Sequence, residues 1–253
     1  MNRSIAKYGW KPDLPDNRDL RYSIPAHFSE DIPESMDLRS LCPPIYDQGN
    51  LGSCTANAIA GAFEFDLIRQ NLSVFTPSRL FIYYNERVIE GTISTDSGAY
   101  LRDGIKSLAN QGVCNETEWP YIINEFIQKP FQSCYDEAQK NIISQYQRLD
   151  RSLDQMKACL ADGSPFIFGF AVYQNFESAE VARTGILNLP NVGESLIGGH
   201  AVVAVGYDDL SRRFIARNSW RDTWGMQGYF TLPYDYLLDE NLADDFWTIK
   251  SVA

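Results

Sequence analysis

Apolar residues in the first half of the chain recur with the period of a helix. Ile59, Ala60, Phe63 and Leu67 follow a glycine-rich stretch at the spacing that puts them on one buried helical face. Similar patterns predict two further helices, and the predicted bounds of all three are 54–72, 78–90 and 101–111. We therefore expect the first half to be mainly helical.

In the second half, short apolar or alternating runs bounded by turn residues replace the helical spacing. After a short predicted helix at 153–161, these runs predict strands at 166–172, 201–207 and 214–216. A helical half followed by a sheet half predicts an α+β fold of two lobes with a cleft between them.

The N-terminal residues fit neither pattern. Pro12, Pro15 and Pro25 are too close together for a helix, so residues 1–36 are predicted to form an extended arm. Residues 37–253 are expected to form one domain, in which residues 112–150 are a long connection. The predicted lobes are a mainly helical one at 37–150 and a mainly β one at 151–253.

Charge and composition limit the partners that the chain can have. The formal net charge is −11, from 22 basic and 33 acidic residues, so we expect no nucleic-acid and no membrane partner. No run approaches the ~20 apolar residues that cross a bilayer, and the N-terminus has no apolar signal core. The chain is therefore expected to be a monomer that is cytoplasmic at synthesis, with export by a route without a signal peptide left open.

Cysteine and histidine are too sparse for a metal site. The five cysteines form no Cys-x-x-Cys pair and the chain has two histidines, so neither a metal nor another cofactor is expected. Four of the cysteines are interpreted as small buried residues, with any disulfide among them left open: Cys42, Cys114, Cys134 and Cys159.

Cys54 differs from these four in its position. It follows the run Gln48-Gly49-Asn50-Leu51-Gly52-Ser53 and begins the first predicted helix. Unpaired backbone N–H groups and the positive end of the helix dipole favour a thiolate there, so we expect its pKa to lie below the usual ~8.5. The placement indicates a nucleophile, and therefore an enzyme rather than a binding module.

A thiolate nucleophile needs a base, and the chain offers only His27 and His200. His200 begins one apolar run and Asn218 follows the next, so a symmetric hairpin places the two residues opposite each other. An amide there can accept the ring N–H and aim the other ring nitrogen at the sulfur. The side-chain NH₂ of Gln48 could join the backbone N–H of Cys54 in binding an oxyanion. These four residues predict an acyl-transfer site.

Three motifs in the chain resemble those of one known family. They are Gln48…Gly52-Ser53-Cys54, Gly199-His200-Ala201-Val202 and Asn218-Ser219-Trp220…Trp224-Gly225. In this order they are similar to the signature blocks of papain-like cysteine proteases, and the similarity extends over about 33–253. The resemblance implies a helical left lobe with the cysteine, an antiparallel β-barrel-like right lobe with the histidine and asparagine, and hydrolysis of peptide or protein substrates through an acyl-enzyme.

The resemblance also implies contacts near the reacting atoms. Ser97 and Gly98 are similar to the strip that pairs with the substrate backbone. Trp220 is expected to border the substrate and to shield the contact between His200 and Asn218 from water.

A side-chain pocket is implied in the same way. Tyr100, Gly169 and Ala201 are expected to line the pocket for the second residue before the cut. Asp244 or Asp245 would reach its floor, so the resemblance implies that a basic side chain is accepted there.

The chain departs from the family pattern at several positions. Leu51 and Thr55 stand where most members have a disulfide cysteine and a tryptophan, which fits a reducing compartment, and Arg221 replaces a glycine. The arm is too short for the usual helical prosegment, and residues 8–16 resemble the leader of a bacterial and viral branch. We hypothesise that this propeptide-like arm packs against the lobes or covers the cleft, with removal near 32–37 if it is inhibitory.

Three functions remain open from the sequence. An endopeptidase is favoured, because the histidine-bearing loop of some carboxypeptidase members is missing. The same site could instead transfer the acyl group to an amine, as a transpeptidase or deamidase does. Alternatively, the chain is a non-catalytic binding protein on a protease scaffold, with the arm permanently in the cleft.

Overall fold

A computed structural model describes residues 8–28 and 31–252. Its helices are α1 (Cys54–Arg69), α2 (Arg79–Glu90), α3 (Leu101–Gln111), α4 (Gln132–Ala138), α5 (Leu153–Ala161), α6 (Ala179–Thr184) and α7 (Tyr234–Leu238). Short 3₁₀ turns occur at Ala26–Phe28, Arg39–Leu41, Ile123–Glu125 and Gln174–Glu177. Within this described part, no helix has the length and apolarity that crossing a membrane requires.

The strands form one large sheet and one small one. They are β1 (Trp10–Lys11), β2 (Ser35–Asp37), β3 (Ala99–Tyr100), β4 (Ile143–Arg148), β5 (Phe166–Tyr173), β6 (Leu196–Asp208), β7 (Arg213–Arg217), β8 (Tyr229–Pro233) and β9 (Ala243–Val252). The large antiparallel sheet has the order β4-β9-β5-β6-β7-β8, with β2 paired to β6, whereas β1 pairs with β3. The α+β prediction is confirmed, and the described strands form an open sheet rather than a closed barrel.

Helix α1 lies between the two lobes. It packs against α2 on one side and against β6 and β9 on the other. Residues 54–67 are all buried, which differs from the single buried face that the sequence predicts. Alanine and glycine occupy much of the rest of the helix, so neighbouring elements approach it from every side. The N-terminus of α1, with Cys54, therefore lies at the junction of the helices and the sheet.

Residues 112–150 are more ordered than predicted. The expected connection contains α4 and β4, and β4 pairs with β9. The strand lies at the end of the sheet, and its sequence Ile-Ser-Gln-Tyr-Gln-Arg is mostly polar and partly exposed. Because an edge strand buries little of its surface, it carries no strong alternation of apolar residues. The predicted domain boundaries at residues 36 and 150 stay predictions.

The β6–β7 hairpin has a different register from the symmetric one predicted. The symmetric hairpin would place Val203 opposite Ile215, whereas Val203 faces Arg217 and Gly206 faces Ile215. The irregularity between Ala204 and Gly206 is a bulge, which adds a residue to one strand and shifts the pairing. His200 lies beyond the paired part of the hairpin and pairs with Phe170 on β5, along the other edge of β6.

The N-terminal arm is extended and crosses the molecule. Strand β1 pairs in parallel with β3, the strand that directly precedes α3 in the chain. The backbone around Tyr22 hydrogen-bonds the backbone of β4 at Arg148. Strand β2 then adds to β6 of the large sheet. The arm is therefore attached both to the helical lobe and to the sheet.

Candidate active site

A buried turn places Cys54 at the start of α1. The backbone N–H of Gln48 donates to the carbonyl of Ser219 at 2.9 Å, and that of Gly52 donates to the Asp96 carboxylate at 3.0 Å. Gly49 has a φ of 62°, which glycine adopts without strain. The turn is thus anchored to both lobes, and this fixes the cysteine at their junction.

His200 and Asn218 meet despite the shifted register of the hairpin. Nε2 of His200 lies 2.8 Å from Oδ1 of Asn218, and the same oxygen accepts the N–H of Ser219 at 2.8 Å. Because this oxygen is an acceptor, Nε2 carries the proton in the neutral ring. Nδ1 has no hydrogen-bond partner in residues 8–28 and 31–252, so its lone pair is available as a base.

Aromatic rings cover this pair. The Trp220 ring centroid lies 5.1 Å from that of His200, and Phe176 lies 5.0 Å from Trp220. Burial beneath these rings lowers the pKa of His200 to about 4, although the hydrogen bond to Asn218 opposes the change. The imidazole is therefore neutral near pH 7 in this arrangement.

Gln48 lies in the turn with its side-chain amide buried. Its Oε1 accepts the hydroxyl of Ser219 at 2.6 Å, and its Nε2 donates to the Leu51 carbonyl at 3.1 Å. These bonds fix which end of the amide is NH₂. The second Nε2 proton has no partner within the described residues, so it can serve as a donor to an oxyanion.

The arm lies directly over Cys54. Gly9 accepts the N–H of Ala99 with its carbonyl at 2.7 Å, and the backbone N–H groups of Gly9 and Ala201 are close enough to the Cys54 sulfur to oppose a rise in the pKa of its thiol. A methyl group on Gly9 would come 1.7 Å from the Gly52 carbonyl oxygen, so glycine is required for this approach. The structure therefore places an arm peptide, rather than solvent, against the thiol.

Trp10 fills the place expected for a substrate side chain. A methyl group on Gly169 would lie 1.9 Å from the Trp10 ring, and the indole N–H donates to Asp245 at 3.0 Å. Next along the arm, Lys11 lies 5.4 Å from the centre of the Tyr100 ring. The predicted pocket positions Gly169, Asp245 and Tyr100 thus surround the arm.

The remaining predicted substrate positions differ in their contacts. A methyl group on Gly98 would come 2.0 Å from the Gly9 carbonyl oxygen, and Ala201 contacts the thiol as described above. Ser97 instead hydrogen-bonds the adjacent Gly98 carbonyl at 3.3 Å. Asp244 is an ion-pair partner of Arg148 at 3.3 Å.

Two contacts at the site escape sequence reasoning. Tyr8 donates its hydroxyl to Glu177, and its ring lies 6.0 Å from His200 and 6.4 Å from Trp220. Asp96 holds the turn before the cysteine, as described above. Asp96 precedes Ser97 and Gly98 in the strip that the family resemblance identifies, but its bond to Gly52, like that of Tyr8 to Glu177, joins chain segments that meet only in the fold.

Burial changes the acidity expected for Cys54. The side chain is fully buried, and this burial raises the pKa of its thiol to about 11, although backbone N–H groups oppose the rise. The expectation of a pKa below the usual value is therefore wrong for the arm-covered chain. The helix dipole is present, but desolvation beneath Gly9 outweighs it.

A cluster of charged groups fastens the arm beyond Trp10. Asp13 accepts the Trp247 indole N–H at 3.0 Å, and its backbone N–H donates to Asp245 at 2.8 Å. Asp19 pairs with Arg102 at 2.7 Å and with Arg148 at 3.3 Å. These contacts tie the arm to α3, β4 and β9.

The described residues offer no group of three or more His, Cys, Asp or Glu side chains that could hold a metal ion. His27, the second histidine, is exposed on a 3₁₀ turn of the arm and contacts Phe28. The five cysteines are free thiols in this structure. The prediction that no cofactor is needed stays a prediction.

Comparisons with known proteins agree on one family. Residues 32–237 match the profile described as papain family cysteine protease. A peptidase C1-like protein of Acanthamoeba polyphaga mimivirus is 43% identical, over 97% of this chain and 87% of its own. Cysteine proteinase 3 of Entamoeba histolytica is 26% identical, over 80% of this chain and 63% of its own length.

Solved structures give the same result. Xylellain, a cysteine protease from Xylella fastidiosa, is 45% identical and superposes with a TM-score of 0.93, covering 100% of this chain and 99% of its own. Procathepsin B S9 of Trypanosoma congolense, at 18% identity and a TM-score of 0.79, covers 97% of this chain and 86% of its own. At that identity the second likeness concerns the fold alone.

Proposed function

Because the chain belongs to the papain family of cysteine proteases, we propose that this cysteine peptidase is an endopeptidase with Cys54 as its nucleophile. The observation that carries the proposal is the buried pair of His200 and Asn218, in which Nδ1 of His200 has no partner among the described residues. The next residue, Ala201, brings its backbone N–H to the Cys54 sulfur. A thiol, a neutral base and an orienting amide are the groups that acyl transfer requires.

The residues then act in sequence. Nδ1 of His200 takes the thiol proton, and the Cys54 sulfur forms a bond to the peptide carbonyl carbon. The resulting oxyanion accepts hydrogen bonds from Gln48 Nε2 and the Cys54 backbone N–H. The imidazolium returns its proton to the leaving amine as the C–N bond breaks. Water, deprotonated by His200, then attacks the thioester and releases the acid with the free thiol.

The arm is proposed to inhibit this reaction. At the thiol it presents the N–H of Gly9, whereas the Gly9 carbonyl points to Ala99. The N–H of the Tyr8–Gly9 peptide points to the sulfur in the plane of that peptide, so the Tyr8 carbonyl carbon does not present its face for attack. The arm is therefore expected to resist cleavage while it covers the site. The neutral thiol and neutral imidazole of this arrangement fit an inactive form.

Removal of the arm is proposed near residues 32–37. Pro33 and Glu34 are exposed and each is held by one hydrogen bond to its carbonyl, from Tyr207 and Asp209, whereas Ser35–Asp37 form β2 and pair with β6. The bonds before β2 are thus the more accessible ones. Mass spectrometry that finds full activity in a chain with residues 1–37 intact would contradict the cleavage step.

Hydrolysis of a fluorogenic peptide tests the catalytic assignment. We expect Cys54→Ala and His200→Ala to abolish turnover after arm release while circular dichroism shows an unchanged fold, since each removes a reacting group. Undiminished turnover by Cys54→Ala would overturn the assignment. An added amine nucleophile provides the control for product type, because a transpeptidase gives mainly the amide and an endopeptidase the acid.

The covered thiol also favours a second candidate, a non-catalytic binding protein. Gly9 and Trp10 fill the cleft that a substrate would occupy, and a permanently docked arm would block catalysis. An electrophilic peptide mimic distinguishes the two functions, because only an arm that can leave allows reaction at Cys54.

A further inference from the structure

A cavity of about 1030 Å³ lies in the cleft, on the opposite side of the reacting groups from Trp10. Gly49 belongs to the turn before the nucleophile, and Trp220 covers His200, so the cavity begins beside the reacting groups. Gly169, Gly199 and Asp245, which contact Trp10, do not line it. The arm reaches its edge through Tyr8, whose ring lies 6.4 Å from that of Trp220. The cavity is therefore a separate region from the Trp10 pocket.

The cavity has apolar walls. Trp220 and Trp224 pack edge to face with their centroids 5.2 Å apart, and both are nearly buried. Ile123 adds an aliphatic surface, because its Cδ1 lies within 2.5 Å of where a methyl group on Gly49 would stand. Rigid aromatic walls of this kind hold the body of a ligand and leave its orientation to a few polar groups.

Two arginines supply all the charge of the lining. Arg183 and Arg221 are the charged residues that border the cavity, with no carboxylate among its lining residues, although the chain has a net charge of −11. Arg183 lies in the last turn of α6, is exposed, and has no hydrogen bond or ion pair within residues 8–28 and 31–252. An unpaired guanidinium at an apolar cavity is a site for an anion.

Arg221 is held in an uncommon backbone conformation. Its φ is 66°, where glycine would be favoured, and its N–H donates to the Tyr46 carbonyl at 3.0 Å. The side chain donates through Nε to Asp47 and remains 63% exposed. Its two terminal nitrogens have no other partner in the part of the chain that the structure describes. They are free to bind a second group.

We propose that this cavity binds a carboxylate on the leaving-group side of the scissile bond, through Arg183 and Arg221. The proposal rests on the proposed function, in which residues before the cut lie where Trp10 lies and residues after the cut point into the cavity. Planar guanidinium groups match carboxylate geometry, and the tryptophan walls accept the alkyl part of the side chain. The carboxylate comes from Glu or Asp in the substrate or from its C-terminus.

Competition between peptides tests the preference in the full-length chain carrying Trp10→Ala. Each set contains amidated peptides that differ at one of the first three positions after the cut, with Glu, Gln or Lys there. The members of a set are mixed, and the ratios of their kcat/KM values are measured. Such ratios do not depend on how much of the enzyme is active. A second set compares free-acid and amide C-termini one to three residues after the cut, which separates the two sources of the carboxylate.

We expect about a fivefold preference for the acidic member of one set over its neutral partner, since exposed ion pairs contribute modestly. Arg183→Gln or Arg221→Gln should each reduce the ratio about twofold, and the double variant should abolish it. High salt should weaken it. Arg212→Gln is the matched control, since Arg212 is an exposed arginine of the β6–β7 turn remote from the cleft.

Binding gives a readout that needs no catalysis. Peptides that represent the segment after the cut are titrated, with NMR detection, into the Cys54→Ala, Trp10→Ala chain. The titration is repeated in the same chain with Arg183→Gln and Arg221→Gln added. A carboxylate preference that disappears in the double variant supports the site, even when no peptide is cleaved, in which case the proposed function alone fails. Equal binding and equal cleavage of acidic and neutral peptides, or a preference that survives in the double variant, overturns the proposal.

Discussion

The two halves of the cleft differ in what fills them. On one side of Cys54, the chain's own arm places Trp10 against Gly169 and Asp245. On the other side, a cavity of about 1030 Å³ is bordered by two arginines. The filled half shows which residues hold a peptide before the cut. The open half offers two arginines to the part of a substrate that follows the cut. Binding of a substrate in the first half requires the arm to leave it.

The arm also differs from a productively bound substrate in the group that it presents to the thiol. The Gly9 N–H, rather than the face of a carbonyl carbon, is directed at the sulfur. A cleavable peptide has to present its carbonyl between the sulfur and the oxyanion donors. A peptide can therefore occupy the cleft, as the arm does, without binding in the arrangement that allows cleavage.

Removal of the orienting amide is predicted to give the largest loss. Asn218→Ala leaves both halves of the cleft in place but frees the His200 ring to rotate, so we expect kcat to fall about 100-fold. Asn218→Gln is the comparison variant, because it keeps an amide at a different distance. Peptide hydrolysis after arm release measures the effect, and an unchanged kcat with an unchanged pH profile would contradict the role.

Emptying the filled half is predicted to have the next largest effect. Trp10→Ala removes the indole from its pocket and its bond to Asp245, which weakens arm docking by about 2 kcal/mol, or about 30-fold. The hydrolysis rate of the intact chain should rise by up to this factor. Leu14→Ala is the control, since that arm side chain is 73% exposed and should change little. Equal rates for all three chains would show that the arm does not limit access.

Acidification is predicted to have a smaller effect, because a histidine and two carboxylates oppose each other. Burial lowers the pKa of His200 to about 4 with the arm docked, so protonation favours release. Burial and the charge of Asp13 raise the pKa of Asp245 to about 7, so its protonation favours docking. Burial also raises the pKa of Asp13, with the same consequence for docking, so the His200 effect remains alone in the Asp13→Asn, Asp245→Asn variant. Docking is then fully present above about pH 6.5 and is lost as the pH falls towards 4.

The state of the arm can be followed through fluorotryptophan at Trp10. Its ¹⁹F resonance distinguishes a ring in the pocket from one in solvent, independently of catalysis. We expect the docked fraction of the Asp13→Asn, Asp245→Asn variant to decrease by a few-fold between pH 6.5 and 4. A docked fraction that rises or stays constant over this range would contradict the assignment to His200.

Local patterns were sufficient for the elements that carry the site. The glycine-rich turn and the helical spacing after it place Cys54 at the start of α1, and the bounds of α3 and α5 match those predicted. The contact between His200 and Asn218 also occurs, but through a bent hairpin rather than the symmetric one. Strand β6 also pairs with β2 and β5, so the position of the bulge depends on strands outside the hairpin and cannot be read from the hairpin sequence by itself.

The occupied cleft was beyond the reach of sequence patterns. An extended arm has no periodic signal, and Gly9 matters only because Gly52 and Gly98 approach it from separate segments. The same applies to the high pKa of the Cys54 thiol, since the helix dipole is local whereas desolvation requires the arm. Residues 1–7 and the arm segment 29–30 lie outside the described structure.

Reaction of the intact chain with an electrophilic peptide mimic tests the central claim most directly. Mass spectrometry of the digested adduct locates the label among the five cysteines, and the labelling rate is compared between the unaltered chain and Trp10→Ala. We predict that Cys54 alone is labelled and that Trp10→Ala accelerates the reaction at least tenfold, within the ~30-fold limit set by arm docking. Labelling of another cysteine, or no labelling of Cys54 in either chain, would contradict a nucleophile held beneath a releasable arm.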